Sequence, residues 1–309
     1  MKSYNMPKIT KKSDTTLLGE KSDLYKLYET DQAITWCAGC GNYPIQNALK
    51  RALTLENFGI KDILFVFEIG CNGNGSDKIG GYTFHGLHGR AISAAAGASL
   101  ANPKLKVIAS GGDGATMSEG INHLIHAVRS NYPMMFIHHN NLNYALTTGQ
   151  ASSTTKRGFP MNSSPEGVLI DPINPTEFVL GLNPTFVARS FSGDIKHMTK
   201  VMREALKHKG FAYVEILQVC PTYNKATSQK WYLDRVKYTD GLKGYKPNNI
   251  EKAKKLSHDM DNEIYLGVLY KKEDQPNFYE RLTYRKDLQT TPVQEVNHYP
   301  INDLLNEFK

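Results

Sequence analysis

Four cysteines give the first chemical signal in this sequence. Cys37 and Cys40 stand in "WCAGCGN", Cys71 in "EIGCNGNG", and Cys220 before Pro221 in "QVCPTYN". Thirty residues separate Cys40 from Cys71, and 148 separate Cys71 from Cys220. A zinc ribbon places two CxxC pairs about 15–20 residues apart. One pair followed by scattered cysteines, the last preceding proline, fits a four-thiolate iron–sulfur site better. On spacing alone, zinc and the absence of any shared metal both stay open.

A second signal is made of oxygen. "GGDGATMSEG" places Asp113 between glycines, which by itself is ordinary turn chemistry. "HHNNLNYALTTGQ" changes its weight, because 25 residues lie between Gly114 and Asn140, enough for one helix and one strand. That crossover predicts Asp113 and Asn141 on neighbouring strands. A carboxylate, an amide oxygen and a nearby backbone carbonyl make a hard site suited to Mg²⁺, which keeps phosphate oxygens in its shell. The glycines let backbone N–H groups approach a diphosphate, and a helix opening near Ser118 adds its positive end. That end contributes only ~0.3–1 kcal/mol, so the metal must neutralise most of the charge.

The elements that position these residues follow a regular alternation. Apolar runs in "DILFVFEIG", "KVIASGGDG", "PMMFIHHNN", "TFVARSF" and "FAYVEILQVC" predict buried strands. Between them, "NYPIQNALKRALTLENF", the small-residue stretch "HGRAISAAAGASLAN", "SEGINHLIHAVRSN" and "DIKHMTKVMREALKHKG" have helical spacing, with Ile121, Leu124, Ile125 and Val128 on one face of the third. Such alternation predicts a doubly wound α/β fold with a mainly parallel sheet. The unusual residues at 70–71, 111–114, 140–141 and 219–220 each end a predicted strand, on the edge where such sheets bind ligands. Residues 1–30 read as a polar N-terminal extension, 31–225 as the cofactor-binding domain, and 226–309, Lys- and Tyr-rich with scattered prolines, as an irregular C-terminal extension.

Bulk composition restricts the function. The 309 residues are 40% hydrophobic and 22% charged, with a net charge of +7. The charge is spread along the chain without a block of Lys and Arg, which argues against nucleic acid as a partner. There is no apolar run of about 18 residues for a membrane span and no secretory signal, so the expected location is the cytoplasm. Four cysteines there argue against a disulfide scaffold.

Taken together, "TWCAGCGN", "EIGCNGNG", "HGLHGRAISAAAGASLANP", "GGDG", "NNLNYALTTGQ" and "QVCPTYN" carry a resemblance. GDG followed by NN at this distance is the motif of thiamine diphosphate enzymes, and the whole set resembles the beta subunit of 2-oxoacid:ferredoxin oxidoreductases across residues 31 to 225, with a looser likeness through "EIYLGVLYKK". The "WCAGCGN" start is more similar to the 2-oxoglutarate or broad 2-oxoacid branch than to the pyruvate branch. The resemblance implies Mg²⁺ on Asp113, Asn141 and the carbonyl of Asn143, whose side chain is then expected to be dispensable. It implies a [4Fe–4S] cluster on Cys37, Cys40, Cys71 and Cys220. Thiamine diphosphate would be lined by Ile69, Gly70, Cys71, Asn72, His88, Gly112, Gly114 and Ala115, with Leu146 and Thr147 beside the thiazolium.

The implied reaction is the coenzyme A-dependent oxidative decarboxylation of a 2-oxoacid, 2-oxoglutarate by preference, with ferredoxin as acceptor. The glutamate that activates the cofactor, and the coenzyme A contacts, are expected from an alpha subunit, so no catalytic side chain is assigned to this chain. Two positions depart from the family pattern: Ala145 where glycine is usual, and Thr148 where many members carry lysine or glycine. Loss of a lysine there removes a possible partner for the substrate carboxylate.

The remaining polar residues read more plainly. His85 and Arg90 suit loop polarity and an ion pair. His123 and His126, one turn apart with no third ligand, suit a solvated helix face. One of His138 and His139 is expected to be buried and hydrogen-bonded. Lys196, Lys200, Lys207 and Lys209 form a basic helix face that also suits a ferredoxin. Two competing readings are a non-redox thiamine decarboxylase or carboligase, its cysteines binding zinc or nothing, and a scaffold that keeps the fold without catalysis.

Overall fold

The computed structural model describes residues 22–296 and 301–307. Most of the expected N-terminal extension, up to residue 21, lies outside the described residues. Among the described residues, eight strands form one sheet: β1 (Ile63–Phe67), β2 (Tyr82–His85), β3 (Lys106–Gly112), β4 (Met134–Asn140), β5 (Phe186–Phe191), β6 (Ala212–Leu217), β7 (Val236–Tyr238) and β8 (Ile264–Lys271). Their order is β2-β1-β3-β4-β6-β5-β8-β7. Neighbours pair in parallel except β5 with β8.

Alternate strand residues serve opposite faces. Phe65, Ile108, Met135, Ile137, Val214 and Ile216 face one cluster, filled by helix α1 (Asn42–Leu55) and by a later helix, Ile195–Lys207, through Ile45, Leu49, Leu53, Met198 and Met202. Val66, Val107, Ala109, Met134, Phe136 and Tyr213 face the other, covered by α2 (Ala91–Ala101), α3 (Ile121–Ser130) and α4 (Pro175–Gly181). Burial on both faces explains why these strands read as continuous apolar runs. On α3 the expected stripe is rotated slightly: Leu124, Ala127 and Val128 are buried, while Ile121 and Ile125 are half-buried.

Helix starts follow from local chemistry. Asn174 caps α4 by accepting from the N–H of Glu177, with Pro175 at the first position. Asp194 caps the Ile195–Lys207 helix, hereafter α5, by accepting from the N–H of His197 at 2.9 Å. Residues beyond 226 are irregular over long stretches, as expected, but they also add regular structure. β8 runs antiparallel beside β5, and helix α6 (Ile250–His258) packs on the second face through Ala253. No helix among the described residues is long and apolar enough to cross a membrane.

Candidate active site

The strands β1, β3, β4 and β6 are adjacent and parallel, so the segments after them emerge on one edge. There they form a cleft with a volume of about 90 Å³. Ile69, Gly70, Cys71, Asn72, His88, Gly112, Asp113, Gly114, Ala115, Asn141, Asn143, Leu146 and Thr147 all line it. Every residue named for the cofactor and for Mg²⁺ from the sequence therefore reaches one cavity. Tyr144, Ala145, His139 and Gln218 complete its wall.

β3 and β4 are paired with Gly112 opposite His139, which brings Asp113 next to the Asn pair. Asp113 is buried, and its Oδ2 accepts from the hydroxyls of Ser152 (2.5 Å) and Thr154 (2.6 Å). Burial pushes its carboxyl up to about 6, against those hydroxyls and backbone N–H groups that favour the anion. A cation beside it would reverse that balance. Ser152 and Thr154 were not named from the sequence; the run of hydroxyls in "ASSTT" was their only signal.

The two asparagines have different work. Asn140 Nδ2 donates to Glu215 Oε1 at 2.7 Å, and Glu215 is locked to Arg189 at 2.8 Å with both side chains wholly buried. Asn140 is thereby structural, leaving Asn141 for the cleft. Leu142 then takes a left-handed backbone with φ of 61°, costing roughly 1–3 kcal/mol for a residue with a side chain. The reversal turns the chain tightly enough for Asn141 Oδ1 to accept from the N–H of Asn143 at 3.1 Å. The Asn143 side chain, expected to be dispensable, takes part in this turn. It is buried, and its Nδ2 donates to the carbonyl of Asn141 at 2.8 Å, while its Oδ1 has no partner.

Two glycines shape the cleft floor. Gly70 has φ of +140°, a conformation strained for any other residue. At Gly114 an added Cβ would strike the Tyr144 ring at 2.4 Å, and the Tyr144 hydroxyl donates to the Gly114 carbonyl at 3.1 Å. The stretch that follows, Ala115–Glu119, is π-helical and precedes α3, so the expected helix start near Ser118 is a widened turn. His88 stacks on Tyr144, ring centroids 5.8 Å apart, and its Nδ1 pairs with Glu119 Oε2 at 2.7 Å. That carboxylate fixes the imidazole so that Nε2 remains for the cleft. Arg90 donates to the carbonyls of Gly89 and Glu119, each at 3.1 Å, so backbone oxygens stand where an ion pair was expected. Both histidines of β4 are buried and bonded: His138 to the Tyr213 hydroxyl at 2.6 Å, and His139 to Ser110, Asn42 and Gln218. Burial lowers both to about 4, so they are neutral in the folded chain.

Of the four cysteines, Cys71 lines the same cleft. All four are free thiols. The Trp36 indole donates to the Cys71 carbonyl at 2.6 Å, the Gly41 N–H to the Val219 carbonyl at 3.0 Å, and Gly39 sits against Pro221. Three distant segments are thus stitched side by side. Burial pushes the Cys71 thiol up to about 12, and the charges of Cys40, Cys220 and Cys37 all add to that effect, so the four sulfurs share one electrostatic neighbourhood. Among the described residues, no three His, Cys, Asp or Glu side chains close around a single metal ion.

Comparison with known proteins agrees with this geometry. A family profile for thiamine pyrophosphate enzymes, their C-terminal TPP-binding domain, matches residues 69–216. One for the C-terminal part of the pyruvate ferredoxin oxidoreductase beta subunit matches residues 220–287. A 2-oxoacid:ferredoxin oxidoreductase beta subunit of Sulfolobus is 37% identical, over 86% of this chain and 92% of its own. A 2-oxoglutarate synthase subunit KorB of Methanothermobacter marburgensis is 34% identical, over 76% of this chain and 80% of its own. A solved 2-oxoglutarate:ferredoxin oxidoreductase of Magnetococcus marinus, with 2-oxoglutarate, coenzyme A and succinyl-CoA bound, superimposes with a TM-score of 0.82 at 30% identity, covering 92% of this chain and 96% of that one. With the cofactor cleft on the strand edge and relatives aligned over four fifths or more of their length, the chain belongs to the beta subunits of the thiamine diphosphate-dependent 2-oxoacid:ferredoxin oxidoreductases.

Proposed function

We propose that this subunit serves the oxidative decarboxylation of 2-oxoglutarate to an acyl-coenzyme A and CO₂, with electrons leaving to ferredoxin. The observation that carries the reading is Cys71, which lines the cofactor cleft and shares its electrostatic surroundings with the other three thiols. A single residue would thus serve both sites. The 2-oxoglutarate assignment is supported by what the KorB relatives and the Magnetococcus enzyme are named for.

Residues 31–225 would form the cofactor-binding unit. Asp113, Asn141 and the Asn143 carbonyl would hold Mg²⁺ and through it the diphosphate, with Gly112, Gly114 and Ala115 offering close backbone approach. Bound thiamine diphosphate supplies a nucleophilic carbon and an electron sink. Ile69, Leu146 and Thr147 would shield the reacting end from water, and His88, held by Glu119, would present Nε2 to the cofactor. Cys37, Cys40, Cys71 and Cys220 would hold a [4Fe–4S] cluster for one-electron transfer. The activating glutamate would come from the alpha subunit.

The test is anaerobic co-purification with that subunit, followed by iron and sulfide analysis and a 2-oxoacid panel with coenzyme A and ferredoxin. Four irons per pair in this chain and highest kcat/KM for 2-oxoglutarate are expected. Zinc in place of iron, or turnover confined to pyruvate, would overturn the assignment.

A further inference from the structure

One buried amide is unclaimed by either cofactor. Gln218 follows β6, is fully buried, and its backbone N–H donates to the Asn140 carbonyl at 2.8 Å. Its side-chain Nε2 points at the Cys40 sulfur, 3.8 Å away, while its Oε1 meets His139 Nδ1 at 2.9 Å. The second neighbour of His139 Nδ1 is Asn42 Oδ1 at 3.1 Å. A ring nitrogen facing two amide oxygens carries the hydrogen, so it donates to Gln218 Oε1 and fixes the amide with N–H toward sulfur. On the far side, His139 Nε2 meets the Ser110 hydroxyl at 3.0 Å, and Asn72 Nδ2 lies 3.4 Å from that hydroxyl. Asn72, His139 and Gln218 all line the cofactor cleft. The chain of bonds therefore runs from the cleft to a thiol.

The glycine of "CGN" makes room for this arrangement. A Cβ at Gly41 would meet Gln218 Cγ at 2.6 Å and Ser192 Oγ at 2.8 Å. The backbone beside Cys40 is bare where the amide must pass.

We propose that Gln218 tunes the cluster: its side-chain N–H donates to the Cys40 sulfur and raises the cluster's reduction potential, with His139 as the positioning residue that holds the amide. The inference rests on the cluster assignment above. Reduction adds negative charge to the sulfur ligands, so an N–H donor stabilises the reduced form more than the oxidised one. Removing the donor disfavours reduction.

The test uses the anaerobic complex with the alpha subunit, its cluster titrated redox-potentiometrically by EPR. Gln218→Leu should shift the one-electron equilibrium about tenfold toward the oxidised form, which is 59 mV. His139→Leu should shift it the same way by less. An iron-free wild-type complex would refute the cluster assignment itself. A loaded Gln218→Leu complex titrating at the wild-type potential would overturn the tuning role alone. Should that variant fail to load, wild-type protein carrying side-chain ¹⁵N-glutamine decides the matter: pulsed EPR of the reduced cluster should show ¹⁵N coupling, and its absence would overturn the proposal.

Discussion

Asp113 has one carboxylate oxygen held by two hydroxyls, from Ser152 and Thr154, so the aspartate is aimed before any metal arrives. Asp113→Asn keeps the volume and removes the charge. It should weaken Mg²⁺-dependent thiamine diphosphate binding at least tenfold, about 1.4 kcal/mol, in calorimetric titrations with and without the metal; equal affinity would refute the ligand assignment. Glu68, at the end of β1, is wholly buried with Oε1 unpartnered. Burial raises its carboxyl from 4.5 to about 8. A raised value means the folded chain binds the proton more tightly, so stability is full below pH 4.5 and is lost as pH climbs through 8. Glu68→Gln should flatten the fall in melting temperature between pH 5 and 8, and an unchanged slope would show that Glu68 is not its source. The residues that bear the motifs were legible in the sequence because their types are chemically rare at strand ends. Ser152, Thr154 and Glu119 were not, because a hydroxyl or carboxylate in a polar loop looks the same whether or not it holds another side chain. The burial of the Asn143 side chain was equally hidden, because spacing says nothing of which groups a left-handed turn buries.

Among the elements, the buried strands could be read directly, since burial on two faces leaves an unbroken apolar run. β2 could not: "YTFH" is exposed at all four positions, and it joins the sheet only as the edge beside β1. The widened turn at Ala115–Glu119 was also hidden, because nothing in "ATMSE" separates a π-turn from an α-turn. Helix α2 was read as a small-residue helix lying close to the sheet, and its Ala91, Ala95 and Ser99 are indeed buried. Gly97 is not part of that contact. It is exposed, and an added Cβ would meet nothing within 4 Å. Gly97→Ala should therefore stabilise the chain by about 0.5–1 kcal/mol in denaturant unfolding; a loss of stability would mean that the position serves packing after all.

For the whole molecule, the cleft opens among exposed apolar side chains. Ile69 and Leu146 on its wall are 40% and 45% exposed, and Leu87, next to His88, is 73% exposed. A rim of this kind suits burial against the alpha subunit. Leu87→Asp should weaken that association at least tenfold in sedimentation or titration measurements while leaving the melting temperature of the free chain within a degree or two; unaltered association would place the partner elsewhere.

The strand order has one more consequence, for how the protein matures. The proposed sulfur ligands come from loops at 37–40, 71 and 220, and what puts them side by side is the pairing of β1, β3, β4 and β6. A nascent chain has no such gathering. A cluster on these thiols would therefore be installed only after the sheet had closed, and the exposed Cys37 would be the thiol that incoming iron and sulfide met first.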